Sequence, residues 1–151
     1  MTNRRDFLAA IAAAAWLALP GCARALESKP ARPLEILVLG GTGFLGPHFV
    51  EAARAKGHRL TLFNRGKSNP TRFDGEEFKD IEQLQGDRKG DLSALEGDRR
   101  WDAVLDTSAY FPADVTRSAG LLAKRVKQYV IISSISVYAD NSTPGADEAA
   151  A

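Results

Sequence analysis

Cysteine is almost missing from this sequence: Cys22 stands alone. A disulfide framework within the chain is excluded, and so is a metal centre built on several thiolates. Histidine is nearly as scarce. His48 and His58 fall in a helix-like and a turn-like context, and two isolated imidazoles do not supply the three or four converging ligands that zinc takes; no metal is expected. A surplus of charge is lacking too, since 20 basic and 19 acidic residues leave a net charge of +1. Nothing in that balance draws nucleic acid or an anionic membrane, and there is no basic stripe interleaved with aromatics. Internal repeats are absent. No apolar run is long enough to cross a bilayer, which takes roughly 20 residues as a helix. What remains, 44% hydrophobic and 26% charged residues over 151 positions, is the composition of about one globular domain.

The first 25 residues differ from the rest. Arg4-Arg5 precedes Phe7-Leu8, and twelve apolar residues, Leu8 to Leu19, lack the polar face of a surface helix. A positive start, a short apolar stretch and the small-residue site Ala23-Arg24-Ala25 make a signal peptide over residues 1–25. The paired arginines resemble a twin-arginine (Tat) signal, so the Tat export machinery is an expected partner and the periplasm the expected location. Two readings stand for Cys22. Leu19-Pro20-Gly21-Cys22 resembles a lipobox, in which the cysteine is lipidated and tethers the protein to the membrane; otherwise Cys22 simply lies near an ordinary cleavage site. Residues 26–33, with Pro30 and Pro33, read as a linker.

From Leu34 onward, short apolar runs alternate with helical patterns. Strands are expected over 34–39, 59–64, 81–85, 101–106 and 129–133, helices over 43–56 and 112–126, and a short helix over 91–95. Leu45, Phe49 and Ala53 recur on one face of the first long helix, which Gly57 stops. Pro112 suits the first turn of the second. Its stripe of Val115, Ala119, Leu122 and Val126 fits either a core or a partner subunit. Residues 67–77 read as loop. The alternation predicts an α/β fold, a Rossmann-type doubly wound parallel sheet in the order 3-2-1-4-5 over residues 34–138, with a polar tail over 139–151.

Where the first strand meets the first helix, the chain reads Gly40-Gly41-Thr42-Gly43-Phe44-Leu45-Gly46. Glycine at 40 allows a sharp turn. At 43 it lets bare backbone approach a diphosphate, and at 46 it lets the helix pack closely on the strand. Free N–H groups and the helix dipole then favour phosphate. Gly40, Thr42, Gly43, Phe44, Leu45 and Gly46 are the candidate contacts, and the strand-before, helix-after context distinguishes them from a structural glycine turn. The spacing is G-x-x-G-x-x-G. With it the sequence resembles the short-chain dehydrogenase/reductase superfamily, and most of all its extended and atypical branches, which include nucleotide-sugar epimerases and dehydratases. The resemblance covers residues 34 to 148.

NAD-binding Rossmann domains carry an acid at the end of the second strand to hold the ribose 2′-hydroxyl. Here the sequence is Asn64-Arg65-Gly66-Lys67, without an acid. A carboxylate would repel a 2′-phosphate, whereas Arg65 can grip one with its planar fork and Lys67 adds charge. The cofactor expected is therefore NADP rather than NAD, with Arg65 and Lys67 as solvated loop charges the plain alternative. The similar Asn-Arg-Gly turn of atypical superfamily members points the same way. The resemblance further implies that Asp87 meets the adenine, with Arg88 beside it a candidate cofactor contact, although an ordinary turn aspartate reads nearly as well. It also implies that Thr107, Ser108 and Ala109 pass the nicotinamide ribose.

Ser133-Ser134-Ile135-Ser136-Val137-Tyr138 is similar to the Ser-Ser-x-x-Val-Tyr segment of extended members. That alignment places Ser134 at the serine that hydrogen-bonds the reacting substrate oxygen. The alternative is a strand-end serine satisfying loop backbone. The family's base is a tyrosine aided by a lysine four residues on. Of the three tyrosines here, Tyr110 is followed at that distance by Asp114, Tyr129 by Ser133 and Tyr138 by Ser142. The pair, and the substrate-binding lobe, are expected downstream in a longer protein, with Asp147-Glu148 resembling the segment that leads on. The resemblance implies an epimerase, dehydratase or reductase acting by hydride transfer on a small-molecule substrate such as a nucleotide sugar. The alternative it leaves is a non-catalytic NADP-binding protein, sensor-like or RNA-associated.

Overall fold

The computed structural model describes residues 32–134 and, beyond them, Ser136, Tyr138, Ala139, Ser142, Pro144, Gly145 and Asp147. The expectations for the leader, for Cys22, for most of the linker, and for Val137 and Glu148 lie outside the described residues. Five strands form one parallel sheet: β1 (Glu35–Leu39), β2 (Arg59–Asn64), β3 (Glu82–Gln85), β4 (Trp101–Asp106) and β5 (Val126–Ile131), in the order β3-β2-β1-β4-β5. Two helices cross between them, α1 (Gly46–Ala55) and α2 (Pro112–Leu122). The doubly wound order read from the sequence is the one observed.

Pleating divides the apolar side chains of each central strand between two faces. Ile36 and Val38 of β1 join Leu60 and Leu62 of β2 under Val50 and Ala53 of α1. Leu37 and Leu39 turn the other way and pack with Phe63, Val104 and Leu122 of α2. The first expected helix begins three residues late, at Gly46, because Gly43 to Leu45 stay in the turn: Phe44 has a φ of 45° and the Gly46 N–H donates to the Gly43 carbonyl. Its buried face is Gly46, Pro47, Val50 and Ala53, while Leu45 is exposed and Phe49 half-buried. The expected loop 67–77 is anchored by Phe73, which is 2% exposed and stacks edge-on against Phe78.

The largest departure concerns the second helix. It ends at Leu122, and Val126 opens β5 instead of closing the helix. The Trp101 N–H donates to the Arg125 carbonyl, so sheet pairing captures the chain at that point. The buried residues of α2 are Asp114, Ser118 and Leu122; Val115 and Ala119 are only half-buried. The short helix near 91–95 is a 3₁₀ turn at Ser93–Leu95. At the other end of β4, Asp102 accepts from Arg32, from Lys127 and from the Glu35 N–H. Those donors, Arg32 first, hold its carboxyl well below the usual carboxylate range.

Candidate dinucleotide site

All five strands of a parallel sheet end on one side, and there the helix N-termini and connecting loops can face a ligand. A cavity of about 490 Å³ opens along this edge, between the loops that follow β1, β2, β3 and β4. Gly40, Thr42, Gly43, Phe44, Asn64, Arg65, Lys67, Asp87, Arg88, Thr107 and Ser108 all line it. Leu45, Gly46 and Ala109 are not on its wall, and neither is Ser134.

The glycine turn has the geometry its residues suggest. Gly40 has a φ of +90°, and a Cβ there would sit 2.8 Å from Ser108 Cβ and from Thr107 Oγ1. A Cβ at Gly46 would meet the Gly41 and Gly40 carbonyl oxygens at 2.5 and 2.6 Å, so this glycine serves packing behind the turn. At Gly43 a Cβ would meet nothing within 4 Å; protein packing alone does not require glycine at this position on the cavity wall. Among the described residues the Phe44 and Leu45 amides have no acceptor. They stand at the N-terminus of α1, where amides and helix dipole favour an anion. The turn thus has the space and the free donors that a diphosphate needs.

Two asparagines brace this turn. The Thr42 N–H and hydroxyl lie 3.4 and 3.5 Å from Asn64 Oδ1, and Asn69 Nδ2 donates to the Thr42 carbonyl at 3.1 Å. Asn64 therefore shapes the loop. Asn69 was hidden in a polar stretch, its signal being an asparagine with a positive φ of 44°. Arg65 and Lys67 are exposed beside the cavity and pair with no carboxylate among the described residues. Asp87 lines the cavity, and its carboxylate accepts its own turn's Lys89 N–H at 3.0 Å.

Arg88 lines the cavity, and its guanidinium forks onto Asp106 at 3.0 and 2.6 Å. Its side chain is 9% exposed and that of Asp106 is fully buried. Burial works against the charge of Arg88, but the Asp106 carboxylate outweighs it and raises the Arg88 pKa. Tyr129 Oη donates to the same carboxylate at 2.8 Å and contacts Ser118 Oγ at 2.8 Å. Burial first, and then Asp106, pushes the Tyr129 phenol up to about 12, so it stays protonated at neutral pH. Sequence reading missed this network, and of the aromatic rim it named Phe44 but not Tyr110 or Phe111: the three are 87%, 84% and 57% exposed, with Lys89 lying over the Phe111 ring at 5.1 Å. Ser134 lies exposed beyond the end of β5, and its Oγ accepts the Ser136 N–H at 3.3 Å.

This arrangement has relatives. The chain is 36% identical over 114 residues to the chloroplast stem-loop binding protein of 41 kDa b of Arabidopsis thaliana, a match that covers 69% of this chain and 30% of that one. Its fold is similar to an epimerase of Methanothermobacter thermautotrophicus, with TM-score 0.65 and 18% identity over 80% of this chain and 41% of that one. It is equally similar to the UDP-Glc/GlcNAc 4-epimerase of Campylobacter jejuni, with TM-score 0.65 and 17% identity over 78% and 42%. The Bordetella bronchiseptica enzyme WbmG, solved in complex with NAD and UDP, gives TM-score 0.57 and 14% identity over 79% and 43%. The chain thus spans less than half the length of each. Residues 36–120, over half of the sequence, match the profile of one family, and the chain belongs to it: the NAD dependent epimerase/dehydratase family.

Proposed function

We propose that the cavity at the carboxyl edge of the sheet holds NADP(H), and that the whole protein uses it on a hydroxyl or carbonyl substrate such as a nucleotide sugar. One observation carries the cofactor reading: the bare Gly43 turn, with free amides at Phe44 and Leu45, shares a cavity with Arg65 and Lys67, and neither cation has a carboxylate to neutralise it. Those amides would take the diphosphate and the two cations a 2′-phosphate. A bound nicotinamide supplies hydride exchange with a carbinol carbon. The chain's own part is to hold the cofactor along the strand ends and to place Ser134, at the end of β5, where its hydroxyl can hydrogen-bond the substrate oxygen. The Tyr129 phenol is half-buried and committed to Asp106, so it does not act as the base. That proton transfer calls for a perturbed group, for which the family's Tyr-x-x-x-Lys pair in a downstream segment is the candidate. Isothermal titration calorimetry of the full chain with NADP⁺ and NAD⁺ tests the cofactor reading. Binding of both, NADP⁺ more tightly, is expected; binding of neither overturns it.

The Arg4-Arg5 leader supports Tat export of the folded, loaded protein to the periplasm, with a lipid on Cys22 as its tether in the lipidated form. Protein recovered from the periplasm of a bacterial host then carries nucleotide, and replacing Arg4-Arg5 by Lys-Lys retains it in the cytoplasm. A second reading, a non-catalytic NADP-binding protein associated with RNA, draws on the stem-loop binding of the plant relative and on the exposed Phe44, Tyr110 and Phe111 near Lys89. Retention of a labelled RNA hairpin at physiological salt would favour it; its absence favours the enzyme.

A further inference from the structure

Asp106 ends β4 after the apolar run Ala103-Val104-Leu105, yet it is fully buried. Its carboxylate collects donors from three other segments of the sheet edge. Arg88 reaches it from the loop after β3 with both guanidinium nitrogens, the Ser108 N–H from the turn after β4 at 3.1 Å, and Tyr129 from within β5. Its own carbonyl takes the Ile132 N–H at 2.9 Å, where β5 gives way to the serine segment. Ser118 of α2 closes the cluster, accepting from Arg88 Nη2 at 3.3 Å and donating to the Asp114 carbonyl at 2.8 Å. No side-chain polar atom buried among the described residues is left without a partner.

Each of these segments does something else at the cavity. The loop after β3 brings Asp87 to the wall, Ser108 touches the place where a Gly40 side chain would stand, and β5 leads to Ser134. We propose that Asp106, Arg88 and Tyr129 form a positioning clamp that fixes the Thr107–Ser108 turn and the end of β5 against the glycine turn, so that cofactor affinity depends on Asp106 and Tyr129, which stand behind the cavity wall and do not line it. A buried ion pair adds little net stability compared with apolar packing, but it tolerates few geometries. A forked arginine and a phenol on one carboxylate specify both the height and the rotation of that strand end. The clamp rests on the cavity being the dinucleotide site, and its test separates the two claims.

Tyr129→Phe removes one donor and leaves the ion pair in place. Ser118→Ala withdraws support from Arg88 and Tyr129 without exposing a charge. In the full chain, folding is checked by circular dichroism, NADP⁺ and NAD⁺ affinities by calorimetry, and amide exchange at Ser108 and Gly40–Thr42 by mass spectrometry. For Tyr129→Phe both affinities are expected to fall together, by about three- to thirty-fold, the scale on which such networks modulate a distant site. The NADP⁺/NAD⁺ ratio stays fixed, and exchange at Ser108 speeds up while β1 and β2 are unaffected. Arg88→Lys keeps the charge without the fork and does not restore affinity. A folded Tyr129→Phe protein with wild-type affinities and wild-type exchange at Ser108 overturns the clamp. Should the wild type bind neither dinucleotide, the cofactor reading falls, and exchange at Ser108 in Tyr129→Phe and Ser118→Ala still decides the clamp.

Discussion

Helix α1 meets the sheet with Gly46, Pro47, Val50 and Ala53, whereas α2 meets the opposite face with Asp114, Ser118 and Leu122. Both helices fill the same place in a βαβ unit, and both are entered through a proline in the first turn. Under α1 the contact is apolar, so stability comes from close packing and the loop's amides are left to a ligand. Under α2 the sheet buries Asp106 against Arg88, Ser118 and Tyr129. The polar groups there are spent on one another, and geometry is what they secure. One half of the edge leaves backbone amides open, the other commits its polar groups to holding still.

Cutting one residue from each half is the sharpest way to break this contrast. Asp106→Ala strands the Arg88 guanidinium in the interior and is expected to cost about 4 kcal/mol, in line with losing one partner of a buried pair. Val50→Ala beneath α1 leaves a small cavity and costs about 2 kcal/mol. Chemical denaturation followed by far-ultraviolet circular dichroism measures both. If Asp106→Ala cost no more than Val50→Ala, the polar half would be ordinary core.

Within the open half, two glycines sharpen the point. Gly46→Ala drives a methyl group into the Gly40 and Gly41 carbonyls, which cannot yield without moving the turn; about 2–3 kcal/mol of stability and dinucleotide binding are lost together. Gly43→Ala faces open space, so stability changes by no more than about 0.5 kcal/mol while binding falls. A Gly43→Ala protein that titrates like wild type would show that phosphate lies elsewhere. Next in size is Arg65→Asp, which places a carboxylate where a 2′-phosphate would sit. The NADP⁺/NAD⁺ preference should drop by about tenfold or more, or about 1.4 kcal/mol, read from paired titrations.

The same contrast explains what could be read from the chain. The glycine turn, the Asn64-Arg65-Gly66-Lys67 turn and the strand ends are local patterns, and the residues that matter lie within a few positions of each other. The Asp106 cluster joins residues 18, 23 and 30 positions apart, a distance over which neither hydrophobic period nor spacing carries information. Its traces were an acid closing the run Trp101-Asp102-Ala103-Val104-Leu105-Asp106 and a four-residue recurrence of Asp114, Ser118 and Leu122. Apolar periodicity instead favoured Val115, Ala119 and Val126. That choice extended α2 by a turn, and it gave no sign that Arg88 has a strand-end carboxylate for its partner.

The smallest effect belongs to the same carboxylate and appears only in alkali. The Tyr129 phenol is raised to about 12 from an ordinary 10.0. Below pH 10 it is protonated in the folded and the unfolded chain, and its contribution to stability is fully present. Between pH 10 and about 12 the unfolded chain releases this proton while the folded chain keeps it, so stability falls as pH rises through that window. Tyr129→Phe should therefore be the less stable protein at neutral pH and the less pH-sensitive one in alkali, with the two denaturation profiles converging towards pH 12. Parallel profiles would mean that the phenol is neither desolvated nor held by Asp106 in the folded chain, and the polar half of the edge would lose the member that ties β5 to it.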